Sequence, residues 1–146
     1  MPYQLLAREL TFMVQQKSMN LRGQTKVLIV DDEPDVCYLF SRILDKRHIR
    51  TRYANNLKQA VESVLADPPA LIFLDNSLPD GQGVEFIPYL KKNFPLTRVI
   101  MVTANDTAAD KKRAFQLGAD EFLGKPLTLD LINRTLDRIR DSEPPV

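Results

Sequence analysis

Three short runs of uninterrupted apolar residues, VLIV (27–30), ALIFL (70–74) and VIMV (99–102), constrain the fold of this chain more than any other feature. A strand with one wet face alternates apolar and polar residues, whereas a run without alternation has to be buried on both faces. Segments with helical spacing separate the runs. PDVCYLFSRILDKR (34–47) places Val36, Leu39, Phe40, Ile43 and Leu44 on one stripe, with Pro34 suited to the first turn and Asp32 or Glu33 as its cap. LKQAVESVLAD (57–67) is a helix stopped by Pro68 and Pro69. VEFIPYLKKNF (84–94) reads as a helix whose first turns Pro88 weakens, and ADKKRAFQLG (109–118) is a helix closed by Gly118. LDLINRTLDRIR (129–140) carries Leu129, Ile132, Leu136 and Ile139 on one face. IRTRYA (49–54) is expected as an edge strand, ADEFLG (119–124) as a fifth strand, and NSLPDGQG (76–83) as a loop. The pattern predicts an α/β domain, a doubly wound five-stranded parallel sheet with helices on both faces and right-handed connections. In such sheets the functional crevice lies at the carboxyl ends of the strands.

Composition narrows the function. The chain has 146 residues, 20 basic against 19 acidic, for a net charge of +1. That balance lacks the basic footprint of a nucleic-acid binder, so no direct nucleic-acid binding is expected. No apolar run approaches the roughly 18–20 residues that cross a bilayer, and the N-terminus lacks a secretory pattern. A cytoplasmic protein with no membrane contact is the expectation. The one cysteine, Cys37, excludes an internal disulfide, and with a single histidine, His48, a Cys/His zinc site is out of reach. Cys37 reads as a helix-core thiol and His48 as a surface or strand-edge residue. Residues 26–140 form the expected domain. Residues 1–25 are an N-terminal extension, helical or flexible, in which LLARELTFMVQQ could set Leu6, Leu10, Met13 and Val14 on one side. Residues 141–146 read as a tail or the start of a linker, and the chain as either a stand-alone unit or a piece of a longer protein.

The polar residues then fall at the strand ends. Asp31 and Asp32, followed by Glu33, end the first strand; Asp75 ends the third; Thr103 ends the fourth; Lys125, before Pro126, follows the fifth. Each has an ordinary explanation alone: helix cap, turn former, solvated lysine. Together they converge on one rim of the sheet. Like charges at this density repel, and three carboxylates in one pocket suit a hard cation that takes oxygen ligands.

The set VLIVDDEP, LIFLDNSLPDGQG, VIMVTA and FLGKP, over about four-fifths of the chain, resembles the receiver domain of two-component response regulators, a chemotaxis-protein-Y-like fold of flavodoxin type. The resemblance implies that Asp75 is the phosphoacceptor. It implies Mg²⁺, with Mn²⁺ able to substitute, bound by Asp32, Asp75 and the backbone carbonyl of Ser77, with Asp31 acting through a water. Thr103 and Lys125 would bind phosphoryl oxygens, Ala104 would leave the group open to approach, and Phe122 would rotate inward as the aromatic partner of Thr103. The Lys125–Pro126 bond is expected to be cis. Ser77 and Asn105 sit where relatives tune dephosphorylation. Gln82 stands where many relatives have Asp, which is expected to change helix capping and leave the site intact.

The implied function is a phosphoacceptor signalling module of a phosphorelay, not an enzyme turning over a separate substrate. With His48 isolated, the phosphoryl group has to come from a separate histidine kinase or histidine phosphotransfer protein. The downstream target is unidentified, and a homodimer through the 109–140 face or the N-terminal extension is open. Three other readings stay open on the sequence: a phosphorylation-independent adaptor, an aspartyl phosphatase, and a flavin-binding fold. The phosphatase usually needs a second Asp where Ser77 stands, and an acidic rim repels a flavin phosphate.

Overall fold

The computed structural model describes residues 26–142. The proposed N-terminal helix and the last residues of the tail lie outside them. Five strands form one parallel sheet: β1 (Lys26–Val30), β2 (Arg50–Ala54), β3 (Leu71–Asp75), β4 (Arg98–Thr103) and β5 (Glu121–Gly124), in the order β2-β1-β3-β4-β5. Every pairing in it is parallel. Helices follow the strands: α1 (Pro34–Lys46), α2 (Leu57–Ala66), α3 (Ile87–Asn93), α4 (Ala108–Leu117) and α5 (Leu129–Ser142). This is the predicted fold class.

The uninterrupted apolar runs explain the two layers. Successive residues of a strand point to opposite faces. Val27 and Ile29 of β1 join Phe73, Ile100 and Val102 on the face covered by α1 and α5, where Phe40, Ile43, Ile132 and Leu136 pack. Leu28 and Val30 join Ile72, Leu74, Val99 and Met101 on the face covered by α2, α3 and α4, with Ala60, Val64, Ile87, Leu90 and Ala114. Phe40 meets Phe73 with ring centroids 4.6 Å apart. Each fully buried side chain of this size contributes roughly 1.5–3 kcal/mol over leaving it exposed. The edge strand β2 carries Arg50 and Arg52 and is far less buried than its neighbour β1, as a blunted edge should be.

Several local features differ from expectation. The 84–94 segment is not one helix: a 3₁₀ turn (Gly83–Phe86) comes first, and the α-helix starts at Ile87, because Pro88 has no N–H and is tolerated only in a first turn. The 76–83 loop contains a miniature antiparallel pairing of Ser77–Leu78 with Gly81–Gln82. Helix α5 runs to Ser142, past the expected end at 140. Neither Asp32 nor Glu33 caps α1 with its side chain. Glu33 occupies the cap position, but its carboxylate is drawn to Lys125 instead.

Helix α4 ends on Gly118 at φ 114°, and the corresponding position after α1 is held by His48 at φ 57°. The His48 N–H donates to the Asp45 carbonyl at 3.1 Å, closing the helix end. An L-residue in this left-handed region costs roughly 1–2 kcal/mol, although histidine is among those that adopt it more often. Glycine loses more unfolded-state entropy, which offsets roughly half of that gain. His48→Gly is therefore expected to stabilise the fold by about 0.5 kcal/mol, read as a higher urea midpoint at unchanged slope.

Candidate functional site

Strand order reverses between β1 and β3. Connections from β1 go outward to β2, and those from β3 go the other way to β4 and β5. The crevice at the carboxyl ends of β1 and β3 is thus the topological switch point of the sheet. Asp31 follows β1 directly, Asp75 is the last residue of β3, and Thr103 is the last of β4. Lys125 follows β5, and its backbone N–H donates to the Thr103 carbonyl at 2.8 Å, tying it to the β4 end. The Lys125–Pro126 peptide bond is cis.

Asp31, Asp32 and Asp75 each present a carboxylate oxygen, and these oxygens lie within 4.8 Å of one another. Asp31 and Asp75 are buried, at 2% and 3% exposure, and Asp32 is exposed. One oxygen of Asp31 accepts from the Glu33 N–H at 2.9 Å, and one of Asp75 accepts from the Ser77 N–H at 3.3 Å. The Lys125 ammonium faces three carboxylates: Glu33 at 3.0 Å, Asp31 at 3.1 Å and Asp75 at 3.6 Å.

The electrostatics follow from that crowding. Burial, with the neighbouring Asp31 charge adding to it and Lys125 opposing it, pushes the Asp75 carboxyl up from 3.8 to about 6. Burial also raises Asp31, against the Glu33 N–H and Lys125. Burial alone would lower Lys125, but its hydrogen bonds to Glu33 and Asp31 outweigh that and raise it. Two buried acids held above their ordinary values, with a third close by, are short of positive charge. A divalent cation with oxygen ligands fits this donor set, and Asp32 is its solvent-exposed member.

Thr103 is buried, and its hydroxyl accepts from the Asn105 N–H at 3.1 Å; Ala104 beside it is exposed. Phe122 is half-buried. It shares a small pocket with Thr103, Asn76, Val84 and Arg113, on the β4–β5 side of the acidic cluster, and Lys111 sits 5.8 Å over its ring. Thus Asp31, Asp32, Asp75 and Lys125 come together directly, whereas Thr103 and Phe122 form an adjoining group. Cys37 lies at the rim with its thiol 3.6 Å from the Asp31 carbonyl, and burial plus the charges of Asp31 and Asp32 push its pKa up, away from reactive thiolate.

Three positioning residues, Gly83, Asn76 and Asp80, escape sequence reasoning. Gly83 packs against Asp75 so closely that a Cβ there would fall 2.1 Å from the Asp75 carbonyl oxygen. Its N–H donates to the Asn76 carbonyl at 2.9 Å. Asn76 in turn accepts from the Val84 N–H at 3.0 Å, capping the turn that Gln82 leaves uncapped. Gln82 instead accepts from Arg113 at 3.3 Å. Asp80 accepts from the Leu57 and Lys58 N–H groups at 2.8 and 3.0 Å, which anchors the loop after Asp75 to the start of α2 and holds its carboxyl below the usual value.

Comparison with known proteins agrees with the geometry. Residues 27–137 match the model of the response regulator receiver domain family. The chain is 37% identical over 124 residues to the response regulator protein PilR of Pseudomonas aeruginosa, covering 83% of this chain and 28% of that protein. It is 36% identical over 102 residues to the KDP operon transcriptional regulatory protein KdpE of Escherichia coli, covering 70% of this chain and 45% of that one. It therefore spans less than half the length of these relatives. Among solved structures, a two-component response regulator from Clostridium difficile superposes with a TM-score of 0.78 at 26% identity, over 82% of this chain and 98% of that one.

Proposed function

The chain belongs to the response regulator receiver domain family, and from that premise we propose that Asp75 is the residue that accepts the phosphoryl group. The observation that carries this is the meeting of three carboxylates and one lysine at the switch point of the sheet. Asp75 alone among the three acids belongs to a strand, the central β3, where it pairs with Val102 of β4.

In the proposed step, an oxygen of Asp75 attacks the phosphorus of a phosphohistidine. The P–O bond forms, the P–N bond breaks, and the imidazole leaves with its electron pair and then holds a proton. The product on Asp75 is an acyl phosphate. Asp32, Asp75 and the Ser77 carbonyl would hold Mg²⁺, or Mn²⁺ in its place, with Asp31 acting through a water. That cation supplies the positive charge that phosphoryl transfer needs on the moving oxygens. Lys125 turns from the carboxylates to a phosphoryl oxygen, and Thr103 donates its hydroxyl to another once it gives up Asn105. Phe122 follows into the space that Thr103 leaves, and the surface of α4 and β5 changes with it. Exposed Ala104 keeps the approach clear.

The donor we propose is a histidine kinase or histidine phosphotransfer protein in the cytoplasm, and the module promotes its own phosphorylation without turning over a separate substrate. The transcriptional role in the name of KdpE belongs to a protein of which this chain matches less than half. For residues 26–142 we propose protein partners and no direct contact with nucleic acid; no helix among them is long and apolar enough to cross a membrane.

Incubation with acetyl phosphate and Mg²⁺ is expected to add one phosphoryl group, read by intact mass, and chelation of the metal is expected to abolish the addition. Incorporation that persists without divalent metal would contradict the metal part of the reading.

A further inference from the structure

Glu33 belongs to no part of the chemistry above, yet its carboxylate is the group nearest the essential lysine. Its backbone is committed elsewhere: the N–H donates to Asp31 and the carbonyl accepts from the Cys37 N–H. Its side chain makes no cap bond to α1. Instead it reaches Lys125, 92 residues away in sequence, at 3.0 Å. Glu33 is 59% exposed while Lys125 is 13% exposed, so Glu33 closes the solvent side of the lysine.

The charges decide what this does. Asp31, Asp32, Asp75 and Lys125 sum to a formal charge of minus two, which one divalent cation cancels. Glu33 leaves the loaded site with one surplus negative charge at its mouth. An incoming phosphodonor is an anion, so the surplus repels it at the entrance. Glu33 also competes with the arriving phosphoryl oxygens for Lys125. A small donor has nothing to set against this, whereas a protein donor has the binding free energy of a whole docking surface.

We propose that Glu33 is a specificity residue that disfavours small anionic phosphodonors by holding Lys125 and by keeping the metal-loaded site net negative. The inference rests on the phosphoacceptor reading of Asp75. The step itself is unchanged: the Asp75 oxygen bonds to phosphorus, and the donor's leaving group departs with the electron pair of the broken bond.

The test compares the full chain with Glu33→Gln at saturating Mg²⁺. Initial rates of phosphoryl incorporation are measured with acetyl phosphate, largely a dianion at neutral pH, and with phosphoramidate, largely a monoanion. Glu33→Gln is expected to be faster with acetyl phosphate by about 3–10-fold at low salt, with a smaller gain for phosphoramidate and the gain vanishing at about 1 M salt. A purely structural role would move neither the donor-charge dependence nor the salt dependence. A second reading needs no metal: the Lys125 ammonium resonance in nitrogen-15 NMR should be protected in the metal-free wild type and broadened by solvent exchange in Glu33→Gln. Equal or lower rates in the variant, a gain that ignores salt and donor charge, or an unchanged Lys125 resonance would each overturn the inference. Should both the wild type and Glu33→Gln incorporate from neither donor, the phosphoacceptor reading falls, and this inference with it. Should the wild type incorporate normally while Glu33→Gln behaves identically, only the role of Glu33 falls.

Discussion

Asp75→Asn will reduce phosphoryl incorporation to background, a loss of at least about a thousandfold, while leaving the fold intact. The asparagine is nearly isosteric and can still accept from the Ser77 N–H, so the backbone of the β3 end has no reason to move. What it lacks is the anionic oxygen. An amide oxygen is a poor nucleophile toward phosphorus, and no other carboxylate occupies the same place. Asp31 is held by the Glu33 N–H and by Lys125, and Asp32 faces solvent. The measurement is intact mass after incubation with acetyl phosphate and Mg²⁺, beside circular dichroism as the control for folding. Residual incorporation within tenfold of wild type would move the nucleophile to a different residue.

The same substitution should make the metal-free protein more stable. Asp75 has an ordinary carboxyl value in the unfolded chain and one pushed up to about 6 in the fold, chiefly by burial and secondarily by Asp31. The folded state therefore binds this proton more tightly than the unfolded state does. The stability this confers is fully present below about pH 4 and is lost as pH rises through about 6. At pH 7 the ionised, buried carboxylate destabilises the fold by about 2–3 kcal/mol, taking 1.36 kcal/mol per pKa unit. Asp75→Asn removes that cost, so without metal at pH 7 it is expected to exceed wild type by about 2 kcal/mol, with the advantage disappearing near pH 4. Urea melts across this pH range check it. Mg²⁺ should narrow the gap by stabilising wild type more than the variant, since the cation answers the carboxylate that the variant lacks. A variant less stable than wild type at pH 7 would mean that Asp75 is well solvated, against its 3% exposure.

Whatever came from burial on two faces was legible in the sequence. Residues 27–30, 70–74 and 99–102 read as strands buried on both faces, and 49–54, with Arg50 and Arg52, as an edge strand. Because strand ends collect the site in such a sheet, Asp31, Asp75, Thr103 and Lys125 could be placed on one rim before any coordinates. The remainder depended on choices made in three dimensions. Glu33 could cap α1 or pair with Lys125, and the lysine decides only once the fold brings the residue after β5 to the carboxyl end of β1. Gly83 looks like one more turn residue until the Asp75 carbonyl is found against it. His48 carries no signal for a left-handed conformation, since the residue is common in ordinary backbone as well. Pro88 signalled a disturbance, and the form it takes, a 3₁₀ turn ahead of α3, is set by how Val84 and Phe86 reach the core.

The claim on which the account turns is that a phosphoryl group comes to rest on Asp75. The most direct measurement is to phosphorylate the chain with acetyl phosphate and Mg²⁺, reduce the acyl phosphate with borohydride, and map the modified residue by peptide mass spectrometry. An aspartyl phosphate is reduced to homoserine, so the position is written into the chain. Homoserine is expected at Asp75, with aspartate retained at Asp31 and Asp32. Homoserine at either of those two, with Asp75 unmodified, would contradict that claim.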